Sequence, residues 1–167
     1  MTQFLLTIGL VLAVLFFVAF LREKYAQKKN EDIALNYEPV GPLVNKSEYQ
    51  LLQAVRHALP PGYAVMIKVR LEDIVRVRNG IGQHVRLGLR NRIKSRHVDF
   101  AVCDSVLRVV AVIELDGASH NSAEVQRGDV FKDVLFAHVG IPLYRIRVGD
   151  DFAARVGEVM DKIKRTS

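Results

Sequence analysis

The chain has 167 residues, half of them hydrophobic and a quarter charged. This length and composition suit one ordinary domain with a short appendage and exclude a disordered chain. The single cysteine excludes an intramolecular disulfide and a zinc site built from several cysteines. A formal net charge of +6 favours an anionic partner, nucleic acid or lipid headgroups, although a basic chain can also simply be soluble.

The N-terminal segment is uncharged from Phe4 to Leu21. As a helix these residues would reach about 27 Å, enough to cross the hydrocarbon core of a bilayer. Because no basic start and no small-residue cleavage site accompany the run, we predict a retained transmembrane anchor over residues 1–21, with residues 4–21 in the membrane, and not a cleaved signal peptide. The basic flank on one side then places the N-terminus outside and the rest of the chain in the cytoplasm. This flank consists of Arg22, Lys24, Lys28 and Lys29.

Residues 22–42 change from a charged stretch to one punctuated by Pro39, Gly41 and Pro42, which predicts a juxtamembrane segment and a linker. A folded domain is predicted over residues 43–167. Its first helix begins near Ser47, where Gln50 three residues later resembles a capping box.

The rest of the domain alternates between strand and helix patterns. β-branched runs predict strands at 63–71, 98–104, 107–115 and 141–148, and apolar stripes predict helices at 122–140 and 150–165. A basic loop is expected between the first two strands. The order αβββαβα indicates an α/β domain whose mixed four-stranded sheet is flanked by helices.

Two acids, Asp99 and Glu114, fall on neighbouring predicted strands. If a four-residue loop joins those strands, Asp99 pairs with Val112 and Glu114 lies diagonally from it, about 7–8 Å away at Cα. Phe100 and Ile113 then occupy the opposite, core face. Converging carboxylates repel one another unless one is protonated or a cation neutralises them. Two interpretations stay open: a Mg²⁺ or Mn²⁺ site, or rim acids paired with arginines.

A resemblance to a known family rests on several of these motifs. Glu48 in the first helix, Asp99 in "HVDF" and Glu114 in "IELDG" with His120 beyond resemble the restriction-endonuclease-like superfamily and its PD-(D/E)XK core. Within it, "VDF…IELDG-x-x-H…D-x-x-K…L…G-I-P-x-x-R" is similar to the very-short-patch-repair-like branch and, above all, to a bacterial family known as domain of unknown function 2726. The resemblance covers about residues 43–152 and implies an αβββαβ core.

Carried over to this chain, the resemblance implies that Asp99 and Glu114 are metal ligands for Mg²⁺ or Mn²⁺ and that Glu48 is an auxiliary acid. It also implies a bacterial protein, which the predicted anchor would place in the inner membrane. The expected activity is metal-dependent phosphodiester hydrolysis on nucleic acid.

The chain departs from the superfamily at one position. A lysine usually lies two residues after the glutamate and helps to orient or activate water, but here that residue is Asp116. Lys132 or Lys94 could supply the ammonium from elsewhere, and His120 could carry a proton. The alternatives are a loop histidine that bonds its own turn and, for Lys132, pairing on a solvated helix surface.

Nine cationic side chains lie between Lys68 and Arg96, against only Glu72 and Asp73. This density suits contacts with a phosphate backbone without base reading, while a solvated loop or one facing anionic lipid is the alternative. The candidate nucleic-acid contacts are Arg86, Arg90, Arg92, Lys94 and Arg96.

Two functions follow from these patterns. The first is a membrane-tethered, metal-dependent nuclease, favoured by the pair of Asp99 and Glu114. The second is a catalytically inactive module that binds nucleic acid or lipid and keeps the nuclease fold, favoured by Asp116. The sequence does not decide the substrate or the oligomeric state.

Overall fold

The computed structural model describes residues 2–117 and 123–166, and the chain divides into two compact units between Pro42 and Leu43. The first unit contains one helix, α1 (Thr2–Ala34). This helix runs without interruption from the apolar segment into the charged residues that follow it.

The transmembrane anchor predicted over residues 4–21 is wrong. Within residues 2–117 and 123–166, no helix combines the length and the apolar character needed to cross a membrane. The apolar run is the first part of α1, which carries charged residues from Arg22 onwards before it ends at Ala34. The cytoplasmic location predicted for the C-terminal domain stays a prediction.

The elements of the second unit are α2 (Lys46–Ala58), β1 (Ala64–Arg70), α3 (Leu71–Ile74), α4 (Gln83–Lys94), β2 (His97–Cys103), β3 (Val109–Asp116), α5 (Ala123–Val139), β4 (Leu143–Arg147) and α6 (Phe152–Thr166). The strands form one four-stranded sheet with the order β1-β2-β3-β4. The first three strands are antiparallel neighbours, and β4 runs parallel to β3 through the crossover helix α5. The predicted α/β class with a mixed four-stranded sheet is therefore confirmed.

Both faces of the sheet are covered by helices. On one face Phe100 and Ile113 pack with α2 and α6. On the other face Ala101 and Val112 pack with Phe136 of α5. Hydrophobic residues were predicted on one face only, but β3 is buried on both sides, as its continuous apolar run allows. The face that carries Glu114 is thus part of a second core.

The register between β2 and β3 differs from the predicted one. The regular pairs of these strands begin with Phe100 and Ile113, and Asp99 and Glu114 are the next residue of each strand. The predicted pairing with Val112 fails because Cys103 pairs with Val109 and a bulge follows between Val102 and Cys103. The two acids therefore lie at adjacent positions of neighbouring strands, just beyond the regularly paired residues.

The helix α2 begins with a capping box two residues before the predicted one. The Asn45 side chain accepts a hydrogen bond from the Glu48 backbone N–H (2.9 Å), and the Glu48 carboxylate accepts one from the Asn45 N–H (2.8 Å). Glu48 therefore occupies the third position of the helix and satisfies a backbone donor there.

The basic loop predicted between the first two strands is wrong over Gln83–Lys94, which form α4. Arginine, leucine and lysine are good helix formers, and they outweigh Gly88 in the middle of the segment. Ile93 is the buried residue of α4, so most of the helix surface faces solvent.

The one cysteine of the chain, Cys103, ends β2 and is buried. Burial raises the pKa of its thiol, and the negative charge of Asp104 raises it further.

The core between the sheet and α5 can be tested with Phe136, whose side chain is fully buried. Phe136→Ala should lower the free energy of unfolding by about 3–5 kcal/mol, because it leaves a cavity in a packed core. Val134→Ala on the same helix is the control, since Val134 is exposed and should cost no more than about 0.5 kcal/mol. Urea unfolding of the full chain measures both, and equal effects of the two substitutions would contradict the packing of α5.

Candidate functional site

The two acids of β2 and β3 are removed from solvent. Glu114 is 8% exposed, and it is the one buried charged residue in the part of the chain that the structure describes. The Asp99 side chain is 14% exposed, and its Oδ2 accepts a hydrogen bond from the Leu115 backbone N–H at 3.0 Å. The acids therefore do not lie at a wet rim, and their charge has to be compensated inside the protein.

Lys132 of α5 compensates Glu114. Its Nζ lies 2.6 Å from Glu114 Oε1, and both side chains are nearly covered. Burial raises the pKa of Glu114, Lys132 acts against this by stabilising the carboxylate, and the charge of Asp99 raises the pKa again. The net pKa of Glu114 is raised. The structure thus brings the predicted Lys132 to the site, and not to a solvated helix surface.

Lys68 of β1 compensates the other two acids. Its Nζ lies 2.8 Å from Asp99 Oδ1 and 2.6 Å from Glu48 Oε1. Burial alone would lower the pKa of the Lys68 ammonium, but the hydrogen bonds to Asp99 and Glu48 outweigh that effect and raise it. The predicted auxiliary acid Glu48 is therefore joined to Asp99 through a lysine, while its second oxygen caps α2.

Sequence reasoning placed Lys68 only in the basic stretch and missed its role in this cluster. The available signal was its position in "AVMIKVR", because a lysine in the middle of an apolar strand needs a partner.

Asp116, the residue at the position of the usual lysine, has a cationic partner of its own. Its Oδ1 lies 3.3 Å from Arg145 Nη1, and Arg145 also contacts Asp133 at 2.9 Å. Asp116 and Arg145 line a cleft of about 430 Å³ together with Arg147, Asp150 and Arg155. Asp116 is therefore held in an arginine-rich cluster.

Two further candidates named from the sequence are His120 and Lys94. His120 lies outside the described residues, so its predicted role stays a prediction. Lys94 is an exposed residue of α4. Within residues 2–117 and 123–166, no group of three or more His, Cys, Asp or Glu side chains is arranged to hold a metal ion.

The five candidate nucleic-acid contacts divide into two groups. Arg90 pairs with Glu72 at 3.3 Å, and Arg96 contacts the Arg92 carbonyl and stacks over the Phe131 ring at 5.3 Å. The other three are exposed cations of α4, namely Arg86, Arg92 and Lys94. The helix has no acidic residue of its own, so its surface is strongly positive.

Comparison with known proteins identifies the domain. The family described as "Protein of unknown function (DUF2726)" matches residues 40–165. The chain belongs to this family. The match confirms the family predicted from the motifs and includes every element from α2 to β4 and most of α6. No curated protein and no solved structure matches the chain.

The ion pair between Lys132 and Glu114 in this DUF2726 domain can be tested by pH titration. A raised folded-state pKa means that Glu114 contributes most to stability below the ordinary glutamate pKa, about 4.3, and that this contribution declines as the pH rises towards the folded value. Lys132→Met removes the cation that favours the carboxylate, so the pKa of Glu114 should rise further and the decline should extend to higher pH.

Carbon NMR of the Glu114 carboxyl group follows the titration directly, and urea unfolding across the acidic range follows the stability. Lys164→Met is the matched control, because Lys164 is exposed and its nearest acid is Asp161 at 3.9 Å. A Glu114 titration that is the same in Lys132→Met and in wild type would contradict the assigned pair.

Proposed function

We propose that the domain is a metal-dependent phosphodiesterase that acts on nucleic acid, as a member of the restriction-endonuclease-like superfamily. The observation that carries the proposal is the position of Asp99 and Glu114. They lie on the neighbouring strands β2 and β3, largely removed from solvent, and β2 follows the basic helix α4 in the chain. The charge of Asp99 helps to raise the pKa of the buried Glu114, and such perturbed acids are candidates for a functional site.

The donor atoms of these residues fit Mg²⁺ or Mn²⁺. Both ions prefer oxygen ligands and commonly take one or two carboxylates from the protein, with waters and a substrate phosphate in the other positions. Asp99 Oδ1, Asp99 Oδ2 and Glu114 Oε1 each have one donor already, but a carboxylate oxygen has two acceptor sites. Asp99 and Glu114 would hold the cation.

In hydrolysis of a phosphodiester, the oxygen of water bonds to phosphorus while the bond from phosphorus to one sugar oxygen breaks. The water loses a proton, and the leaving oxygen takes one up. A bound divalent cation supplies a hydroxide-like water and neutralises charge on the phosphate. Lys132 contributes by favouring the ionised form of Glu114, the form that can bind a cation. The exposed cations of α4 hold the phosphate backbone.

A second candidate function is a non-catalytic module that binds nucleic acid. The observation in its favour is the internal ion pairing, since Asp99, Glu114 and Asp116 each already have a cationic partner. Such pairs can hold a fold together without any turnover.

Cleavage assays on the full chain distinguish these functions. Asp99→Asn and Glu114→Gln should abolish Mg²⁺- or Mn²⁺-dependent cleavage of DNA or RNA, because each removes a charge that the cation requires. Because Asp116 pairs with Arg145, Asp116→Asn should change the rate far less, and a decrease of roughly 10²–10⁴ would instead make Asp116 a proton-transfer group.

The control for these variants is Asp161→Asn, since Asp161 is an exposed residue of α6. Unchanged cleavage in Asp99→Asn would exclude the proposed site. If the wild-type chain binds nucleic acid but cleaves neither single- nor double-stranded DNA or RNA, the non-catalytic module is the correct function.

The nucleic-acid surface can be tested through the salt dependence of binding. Replacing Arg86, Arg92 and Lys94 of α4 with Ala should weaken duplex binding and reduce the slope of log K against log salt by about 0.9 for each phosphate that the variant no longer neutralises. Lys162, Lys164 and Arg165 of α6 provide a control triple that removes the same charge on the opposite face of the sheet. Equal slopes in the two triple variants would contradict a role for α4.

A further inference from the structure

Lys68 has a backbone conformation that is unusual for its position. It lies inside strand β1 with φ at +51°, a value that few residues other than glycine adopt. The left-handed conformation is strained for a residue with a side chain, and such residues cluster at functional sites. The strain therefore marks Lys68 as a candidate for a functional role.

The irregularity lies beside the site. Ile67 pairs with Phe100 and Val69 pairs with Val98, whereas Lys68 and Asp99 between them form no regular bridge. The alternation of side chains between the two faces of β1 is also interrupted at this point. Ile67 and Val69 would share a face in a regular strand, but Ile67 packs against the cluster of α2 and α6 while Val69 packs against the cluster of α5. Regular pairing is thus interrupted at Lys68 in β1 and at Asp99 in β2, which lie next to one another.

The Lys68 ammonium occupies a position that suits a cation. It lies within 2.8 Å of two carboxylates that come from different elements, Glu48 of α2 and Asp99 of β2. These bonds use two of its three N–H donors, and the side chain is still 26% exposed. Lys132, in contrast, is 14% exposed, so Lys68 is the more accessible of the two lysines.

We propose that Lys68 is an internal counter-cation that a divalent cation must displace from Asp99, and that the displaced ammonium then bonds to the substrate phosphate. The inference rests on the proposed function above. Nucleases of the superfamily usually have a lysine at the position of Asp116. In this domain Lys68 would supply that positive group instead. In this role the ammonium donates a hydrogen bond to a non-bridging phosphate oxygen and transfers no proton.

The competition can be measured without any cleavage. Mn²⁺ titration of the full chain by calorimetry should give at least roughly tenfold tighter binding for Lys68→Met than for wild type, because a charge-assisted pair with Asp99 no longer opposes the cation. Lys68→Arg keeps the positive charge and should bind Mn²⁺ about as wild type does. Lys164→Met should also match wild type, since its nearest acid lies outside the site.

The thermal stability of each variant provides a second readout. Since a ligand that binds only the folded state stabilises it in proportion to its affinity, Mn²⁺ should raise the Tm of Lys68→Met more than that of wild type. Equal Mn²⁺ affinities and equal Tm shifts in the two proteins would overturn the competition.

Cleavage then tests the second half of the proposal. Lys68→Met should lose turnover at saturating Mn²⁺, and Lys68→Arg should recover part of it. Wild-type turnover in Lys68→Met would overturn the contact with phosphate. If no variant and no wild-type protein cleaves any substrate, the nuclease function is refuted, and the Mn²⁺ titration alone decides whether Lys68 competes for Asp99.

Discussion

A carboxylate that leaves water needs a replacement for its hydration shell, and this requirement organises the second unit of the chain. Glu114 lies in the sheet, under the crossover helix, where solvent hardly reaches it. Its ion pair with Lys132 ties α5 to β3, and the bridge through Lys68 ties α2 and β1 to β2. Removing one member of such a cluster leaves a buried charge without a partner, which costs more than the pair itself contributes.

The same contacts give the site its chemical character. Three acids, Glu48, Asp99 and Glu114, share two ammonium groups, so the cluster keeps a residual negative charge inside a basic domain. Positive charge is concentrated on α4, which leads into β2. Opposite charges are thus segregated onto successive elements of the chain, an arrangement that suits the proposed binding of a polyanion and a metal cation.

Local patterns were sufficient to predict the sheet, its strands and the neighbouring positions of Asp99 and Glu114, because strand periodicity depends on adjacent residues. They did not decide the ammonium partners, because Lys132 was one of two candidates and Lys68 was missed. Lys68 lies 31 residues before Asp99, and Lys132 lies 18 residues after Glu114, so tertiary packing decides these contacts. The helical state of α4 was missed because Gly88 and many charges resemble a loop. The anchor was inferred from the length of the apolar run and from the lack of a cleavage site.

The position of Cys103 gives the molecule a built-in probe of local opening. It is the one thiol of the chain, it is 3% exposed, and it ends the strand that carries Asp99. A reagent in solution can alkylate it only when β2 separates from its neighbours, so the alkylation rate reports the free energy of that opening. Ligands that bind at Asp99 would slow the labelling of Cys103, and occupancy of the site could be followed by mass spectrometry without any knowledge of the substrate.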